Sequence, residues 1–206
     1  MKVRVRNTSL KLVLQWAQHA LFAGAILMLG YCGFVLVDTW IFQNQESAAL
    51  DWFVPERPVT LPASLPTLPE SVPAIAPDGL IGRIESVRLG VSVVVVEGTS
   101  KRAFRRAVGH IAGTALPGQP GNVGIAGHRD TFFRSLRNIQ PDDIITLTTL
   151  RGEYRYRVVS TKVVSPDNVA VLDPDESQIL TLVTCYPFYF VGSAPDRFIV
   201  RAERVT

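Results

Sequence analysis

Three residues of this chain stand where they could do chemistry together. Cys185 ends the apolar stretch TLVTC, His128 ends GNVGIAGH, and Arg197 opens RFIV. Each falls at the end of a predicted strand, beside Gly, Pro or Asp. Such ends are where a rigid scaffold presents side chains to a cleft. A thiol attacks as its thiolate, and a neighbouring imidazole either takes its proton or stabilises it as an ion pair. The same imidazole can later protonate a leaving amine. Attack on an amide builds negative charge on oxygen, which an always-charged guanidinium can meet with two hydrogen bonds. The set therefore fits acyl transfer. Each member also has a plain structural reading. Cys185 can be a buried inert thiol or form an intermolecular bridge. His128 can be a satisfied strand-end residue, and Arg197 can pair with Asp196 or Glu203.

Cysteine usage narrows the choice. The chain has two cysteines. Cys32 lies inside an apolar run, where it reads as a small apolar residue. Cys185 is then left without an intramolecular disulfide partner. A redox protein would need a second thiol to resolve its oxidised form, and the sequence offers none outside the apolar run. A non-catalytic binding module on the same scaffold is the other alternative. It would not need the arginine.

The elements that must position these residues read mainly as strands. GLIGRIE is short and apolar, and VSVVVVEG predicts a strand buried on both faces. SKRAFRRAVG predicts a short helix with Ser100 as N-cap and Gly109 past its end. NVGIAGH is a further strand, and DTFFRSLRNI predicts one or two helical turns. IITLTTL and EYRYRVVSTKVV flank a hairpin turn at Arg151-Gly152. In the latter, Tyr154, Tyr156 and Val158 alternate with Glu153, Arg155 and Arg157, as in a half-buried strand. QILTLVT and RFIVRAERV complete the set. About eight short strands with few helices predict a compact barrel or sandwich.

The N-terminal part has another character. The chain has 206 residues and a formal net charge of +3. From Ala20 to Val37 no residue is charged, which reaches the lower limit for spanning a bilayer. Lys2, Arg4, Arg6 and Lys11 precede this run, and Asp38 is the first acidic residue. The positive-inside rule then keeps residues 1–11 in the cytoplasm, makes 12–37 a transmembrane anchor, and exports the rest. No clear small-residue cleavage site follows, so we read an uncleaved anchor and not a signal peptide. Residues 38–78 carry six acidic groups and one basic group, and seven of the fourteen prolines fall between 54 and 78. We expect residues 38–78 to form an extended stalk. Residues 79–206 carry sixteen basic and twelve acidic groups, a net +4. Nucleic acid is excluded as a partner by the expected location and by the lack of a recognition motif.

TLVTC followed twelve residues later by an arginine, and preceded by GNVGIAGHRDTFF, resembles the sortase family. Thr181, Leu182, Thr184 and Cys185 match the family's Thr-Leu-x-Thr-Cys signature. Gly127, His128, Arg129, Thr131 and Phe133 match a wider motif around the histidine. The likeness runs from about Gly79 to Val205 and is greatest to class D, with class E next. One departure is Ser86-Val87, where sortases often carry Ile-Pro.

The resemblance implies a mainly β protein: a closed eight-stranded β-barrel with one or two short helices, preceded by the transmembrane helix. It implies a cysteine transpeptidase over 79–206. Cys185 is the nucleophile, His128 the general acid/base, and Arg197 the stabiliser of substrate and oxyanion. Its substrates are proteins with a C-terminal LPxTG-like sorting signal, and its acceptor an amine such as a cell-wall peptide or a pilin lysine. Thr184 is expected to donate a hydrogen bond at the same centre. Val169, Val171 and Leu172 are expected to line the sorting-signal groove. Tyr186 begins the segment to Asp196 that forms the other wall. His110 matches no motif position and reads as structural. No cofactor is implied. Calcium, which some sortases bind, would have to draw on Glu153, Asp173, Asp175 and Glu176, whose spacing compels no site.

Overall fold

The computed structural model describes residues 7–53, 79–190 and 192–205. Its first element, α1, is a helix from Asn7 to Phe53. The stretch Leu12–Gln45, which contains an 18-residue window with a mean hydropathy of 2.3, is long and apolar enough to cross a membrane. At 1.5 Å per residue the whole helix measures about 70 Å, more than twice a hydrocarbon core. It continues past Val37, so Asp38–Phe53, expected as the start of an extended stalk, is helical. No Pro or Gly interrupts that stretch, so nothing in the backbone stops the helix. The proline-rich segment 54–78 lies outside the described residues.

The second unit is a closed β-barrel. Its strands are β1 (Leu80–Ser86), β2 (Val91–Glu97), β3 (Val108–His110), β4 (Gly121–Ala126), β5 (Ile144–Thr149), β6 (Gly152–Val164), β7 (Gln178–Tyr186) and β8 (Asp196–Arg204). They close in the order β1-β2-β3-β4-β7-β8-β6-β5. Two pairs are parallel, β2 with β3 and β4 with β7. The other pairs are antiparallel.

The valine run of β2 explains its own burial. Val93 and Val95 point into the barrel core, while Val94 and Val96 pack under Ala103 and Ala107. Ala103 lies within a short helix, α2 (Lys101–Arg106), whose N-cap is Ser100 and whose C-cap is Ala107. The Ser100 side chain accepts a hydrogen bond from the Ala103 amide at 3.0 Å. The helix ends earlier than expected. Gly109 does not follow it as a terminator but lies in β3. The peptide from Val108 to His110 instead pairs with both β2 and β4. A Cβ on Gly109 would sit 2.2 Å from the Gly98 carbonyl oxygen, so only glycine permits that approach.

The β5–β6 turn is shifted by one residue from expectation. Thr149 pairs with Gly152, so Leu150-Arg151 forms the two-residue loop. The Tyr/Arg alternation in β6 behaves as predicted, with Tyr156 and Val158 buried and Arg155 and Arg157 exposed. DTFFRSLRNI contributes a 3-10 turn, Arg134–Asn138. His110 is structural, as read from the sequence. It is 2% exposed, with Nδ1 2.7 Å from Glu97 Oε2 and Nε2 2.9 Å from the Ala115 carbonyl oxygen.

A buried carboxylate ties the β1–β2 turn to the approach to β5. Both oxygens of Asp143 accept from the Arg88 guanidinium. Asp143 Oδ2 also accepts from the Gln140 amide at 2.7 Å. The hydrogen bonds from Arg88 hold the Asp143 carboxyl below the usual carboxylate range, against the opposing effect of burial. A depressed folded-state pKa adds stability above the unfolded value of about 3.9 and loses it as pH falls through the folded value. We expect Asp143→Ala to destabilise the barrel by about 1 kcal/mol at pH 7, the usual net contribution of a hydrogen bond such as that from the Gln140 amide, because the half-exposed Arg88 guanidinium can turn to water. Thermal melts of both proteins should show that gap narrowing below about pH 4.

Candidate active site

Three neighbouring strand ends build the site. In the antiparallel pair β7·β8, Cys185 lies directly opposite Arg197. Residues so paired project from the same face, with Cβ atoms about 4.5–5.5 Å apart. On the other side of β7, the parallel ladder with β4 runs to Ala126 opposite Val183. The Gly127 amide extends it, donating to the Val183 carbonyl at 3.1 Å. That register carries His128 level with Cys185. The three residues therefore arrive together from β4, β7 and β8.

They line one pocket of about 300 Å³. His128, Arg129 and Asp130 form one side, Cys185 sits between, and Gly192–Ala194 with Arg197 form the other. Cys185 is a free thiol of intermediate exposure, and His128 is exposed. Arg197 Nη1 donates to the backbone carbonyls of Asp196, at 2.9 Å, and Ala194, at 3.4 Å. Neither the Asp196 nor the Glu203 carboxylate is its partner. Among the described residues its Nε and Nη2 have no acceptor, so both remain able to donate to a substrate oxygen.

Thr184 does something other than expected. It is 2% exposed, and its hydroxyl donates to the Gly127 carbonyl at 2.8 Å. Side chains alternate along a strand, so Thr184 shares the inward face of Leu180 and Leu182 and turns away from Cys185. The expected hydrogen bond at the reacting centre is replaced by one that fixes the residue before His128.

Arg129 lies in the motif around the histidine, where its residue type alone points to no role. Its side chain is 5% exposed. It donates to the carbonyls of Pro187 (2.9 Å), Phe190 (2.6 Å) and Gly192 (3.1 Å). The residue after His128 thus holds the loop between β7 and β8. Its position beside the histidine was the only available signal, because its acceptors are backbone atoms in a loop about 60 residues away.

The expected groove residues divide. Val169 and Leu172 bound a 3-10 turn, Val169–Leu172. Val169 is 68% exposed, whereas Val171 is buried. Leu172 packs over Gly124 of β4. None of the three lines the pocket around Cys185. Tyr186 belongs to an aromatic cluster, stacked on Phe198 at 6.3 Å and edge-on to Phe188 at 6.1 Å. Among the described residues no three His, Cys, Asp or Glu side chains gather as a metal site. Of the four acids considered for calcium, Asp175 is engaged by the Ser177 amide and by Arg201.

A family model described as a sortase domain matches residues 83–205. The chain belongs to the sortase family. Sortases are cysteine transpeptidases, and this chain is an enzyme of that kind. It is 31% identical over 190 residues to Sortase D of Bacillus subtilis (strain 168), covering 90% of this chain and 96% of that one. It is 38% identical over 119 residues to Sortase SrtE1 of Streptomyces coelicolor, covering 48% of this chain and 34% of that one. Both relatives fit the expected likeness to classes D and E. Among solved structures, a Clostridium perfringens Sortase D5 transpeptidase matches with a TM-score of 0.59 and 32% identity, over 65% of this chain and 83% of that one. Sortase C-1 from Actinomyces oris matches with a TM-score of 0.58 and 29% identity, over 62% and 74%. The sortase fold accounts for the closed eight-stranded barrel.

The Thr184–Gly127 bond has a measurable consequence. Thr184→Val keeps the β-branched shape but leaves a buried carbonyl short of its donor. We expect a loss of about 1–2 kcal/mol in stability. Peptide turnover should also fall about tenfold, because Gly127 sets the position of His128 beside Cys185 and small displacements in such a site are costly. Thermal melts and steady-state kinetics on the same variant check both.

Proposed function

We propose that this sortase cleaves an LPxTG-like sorting signal after its Thr and passes the new acyl group to an amine. The carrying observation is the pairing of Cys185 with Arg197 at the edge of a pocket that His128 also lines. Cys185 is the nucleophile. Its Sγ attacks the Thr carbonyl carbon, a C–S bond forms, and the π electrons move onto oxygen. The oxyanion is met by the free Nε and Nη2 donors of Arg197. Collapse breaks the C–N bond, and the imidazolium of His128 gives its proton to the leaving amine. An incoming amine then attacks the thioester, loses a proton to His128, and releases the thiolate.

Substrate and acceptor need separate walls. The turn Val169–Leu172 is the candidate wall for the sorting signal, with exposed Val169 as its contact. The segment from Tyr186 to Asp196 is the candidate wall for the acceptor, whether a cell-wall peptide or a pilin lysine. Thr184 serves by positioning Gly127 and not by touching substrate.

The enzyme works at the cytoplasmic membrane. The apolar stretch of α1 supplies a single span, and four basic residues before it keep the N-terminus inside. The barrel, which follows the span in the chain, then lies on the outer side.

The test is direct. The full chain would be incubated with LPxTG, LPxTA and LAxTG peptides, with and without amine acceptors. Mass spectrometry should find an acyl adduct on Cys185 that transfers to the amine. Cys185→Ala should abolish the adduct. His128→Ala should slow turnover by about 10²–10⁴, and Arg197→Lys by about 10²–10³. Full processing by Cys185→Ala would overturn the proposal.

A further inference from the structure

We infer that Phe104 of α2 positions the imidazole of His128 for proton transfer. The inference rests on the reading of His128 as the acid/base. A general base commonly has a third group that orients it, and the residues named so far supply none. Among the described residues the His128 ring makes no hydrogen bond. Among the described residues its one ring neighbour is Phe104, at 5.1 Å between centroids and tilted by 57°. That lies within the favourable range for tilted aromatic pairs. An exposed histidine without a hydrogen-bond partner is free to turn about its side-chain torsions. A ring packed on one side of it removes part of that freedom.

Phe104 is itself held firmly. Its amide donates to the Ser100 carbonyl at 3.0 Å, and the Ser100 side chain caps the same turn. The neighbouring Ala103 and the helix-terminal Ala107 are buried against Val94 and Val96. Under the ring lies Gly109, where a Cβ would stand 3.2 Å from Phe104 Cε1. The missing side chain gives the aromatic ring its seat on β3. Gly109 in turn pairs with Ala126, two residues before His128. Phe104 and His128 are therefore linked through one short piece of sheet. Phe104 does not line the Cys185 pocket, so it supports the imidazole without narrowing the space for substrate.

A merely structural role for Phe104 would lower stability alone, so the test reads the histidine itself. Full-length protein with ¹³C-labelled histidine would be compared as wild type, Phe104→Leu, Phe104→Tyr and His128→Ala. The last variant identifies the His128 signals. Phe104→Leu should remove the ring-current shift on the His128 ring protons and broaden them, and Phe104→Tyr should retain the shift. With the same peptides and a triglycine acceptor, Phe104→Leu should lower kcat about two- to tenfold at unchanged KM, the span expected of one aromatic contact. Phe104→Tyr should restore it. His128 signals unmoved in Phe104→Leu, or a fall in melting temperature with kcat unchanged, would overturn the inference. Full turnover by His128→Ala would instead remove the acid/base reading beneath it.

Discussion

The register that seats β7 between β4 and β8 is the constraint on which the rest depends. Leu180 and Leu182 face the barrel core and are almost fully buried. Burying each contributes about 1.5–3 kcal/mol. A slip of one residue would turn both outward, and would also turn Cys185 inward and Thr184 outward. Burial of two leucines therefore decides which face of β7 carries the thiol. The same ladders then fix the partners, Arg197 on one side and His128 on the other.

Strand register cannot hold what lies beyond the strand ends. There the protein uses side chains bound to backbone. Thr184 holds Gly127, and Arg129 holds three carbonyls of the β7–β8 loop. A guanidinium removed from water is tolerable only with such charge-assisted bonds. Arg129 is next to His128, and the loop it holds also supplies Gly192–Ala194 to the pocket. The two sides are thus braced against each other. Donors fixed before the reaction need no reorganisation as charge develops, which is what oxyanion stabilisation requires.

The two histidines of the barrel show how environment divides one residue type. His110 is buried, with both ring nitrogens opposite oxygen atoms, and is committed to structure. His128 is exposed, with its ring against Phe104 and its nitrogens unengaged among the described residues. Only the second leaves its ring exposed to solvent.

The sequence alone determined every strand except β3, together with the apolar helix, the Ser100 cap and the motif residues Cys185, His128 and Arg197. These rest on local patterns: alternation, apolar runs, capping chemistry and short spacings. It misjudged the ends of elements. Gly109 looked like a helix terminator because its pairing with β2 and β4 is not local, and Asp38–Phe53 looked like stalk because charge masked an unbroken helix. Thr184 was misread although period-two alternation along β7 already set it opposite Cys185. The partners of Arg129 and Phe104 were beyond reach, because backbone carbonyls in a distant loop and a ring seated on a glycine carry no sequence signature. Residue types fixed which chemistry was available; only closure of the barrel decided which groups meet, because those contacts join segments far apart in the chain.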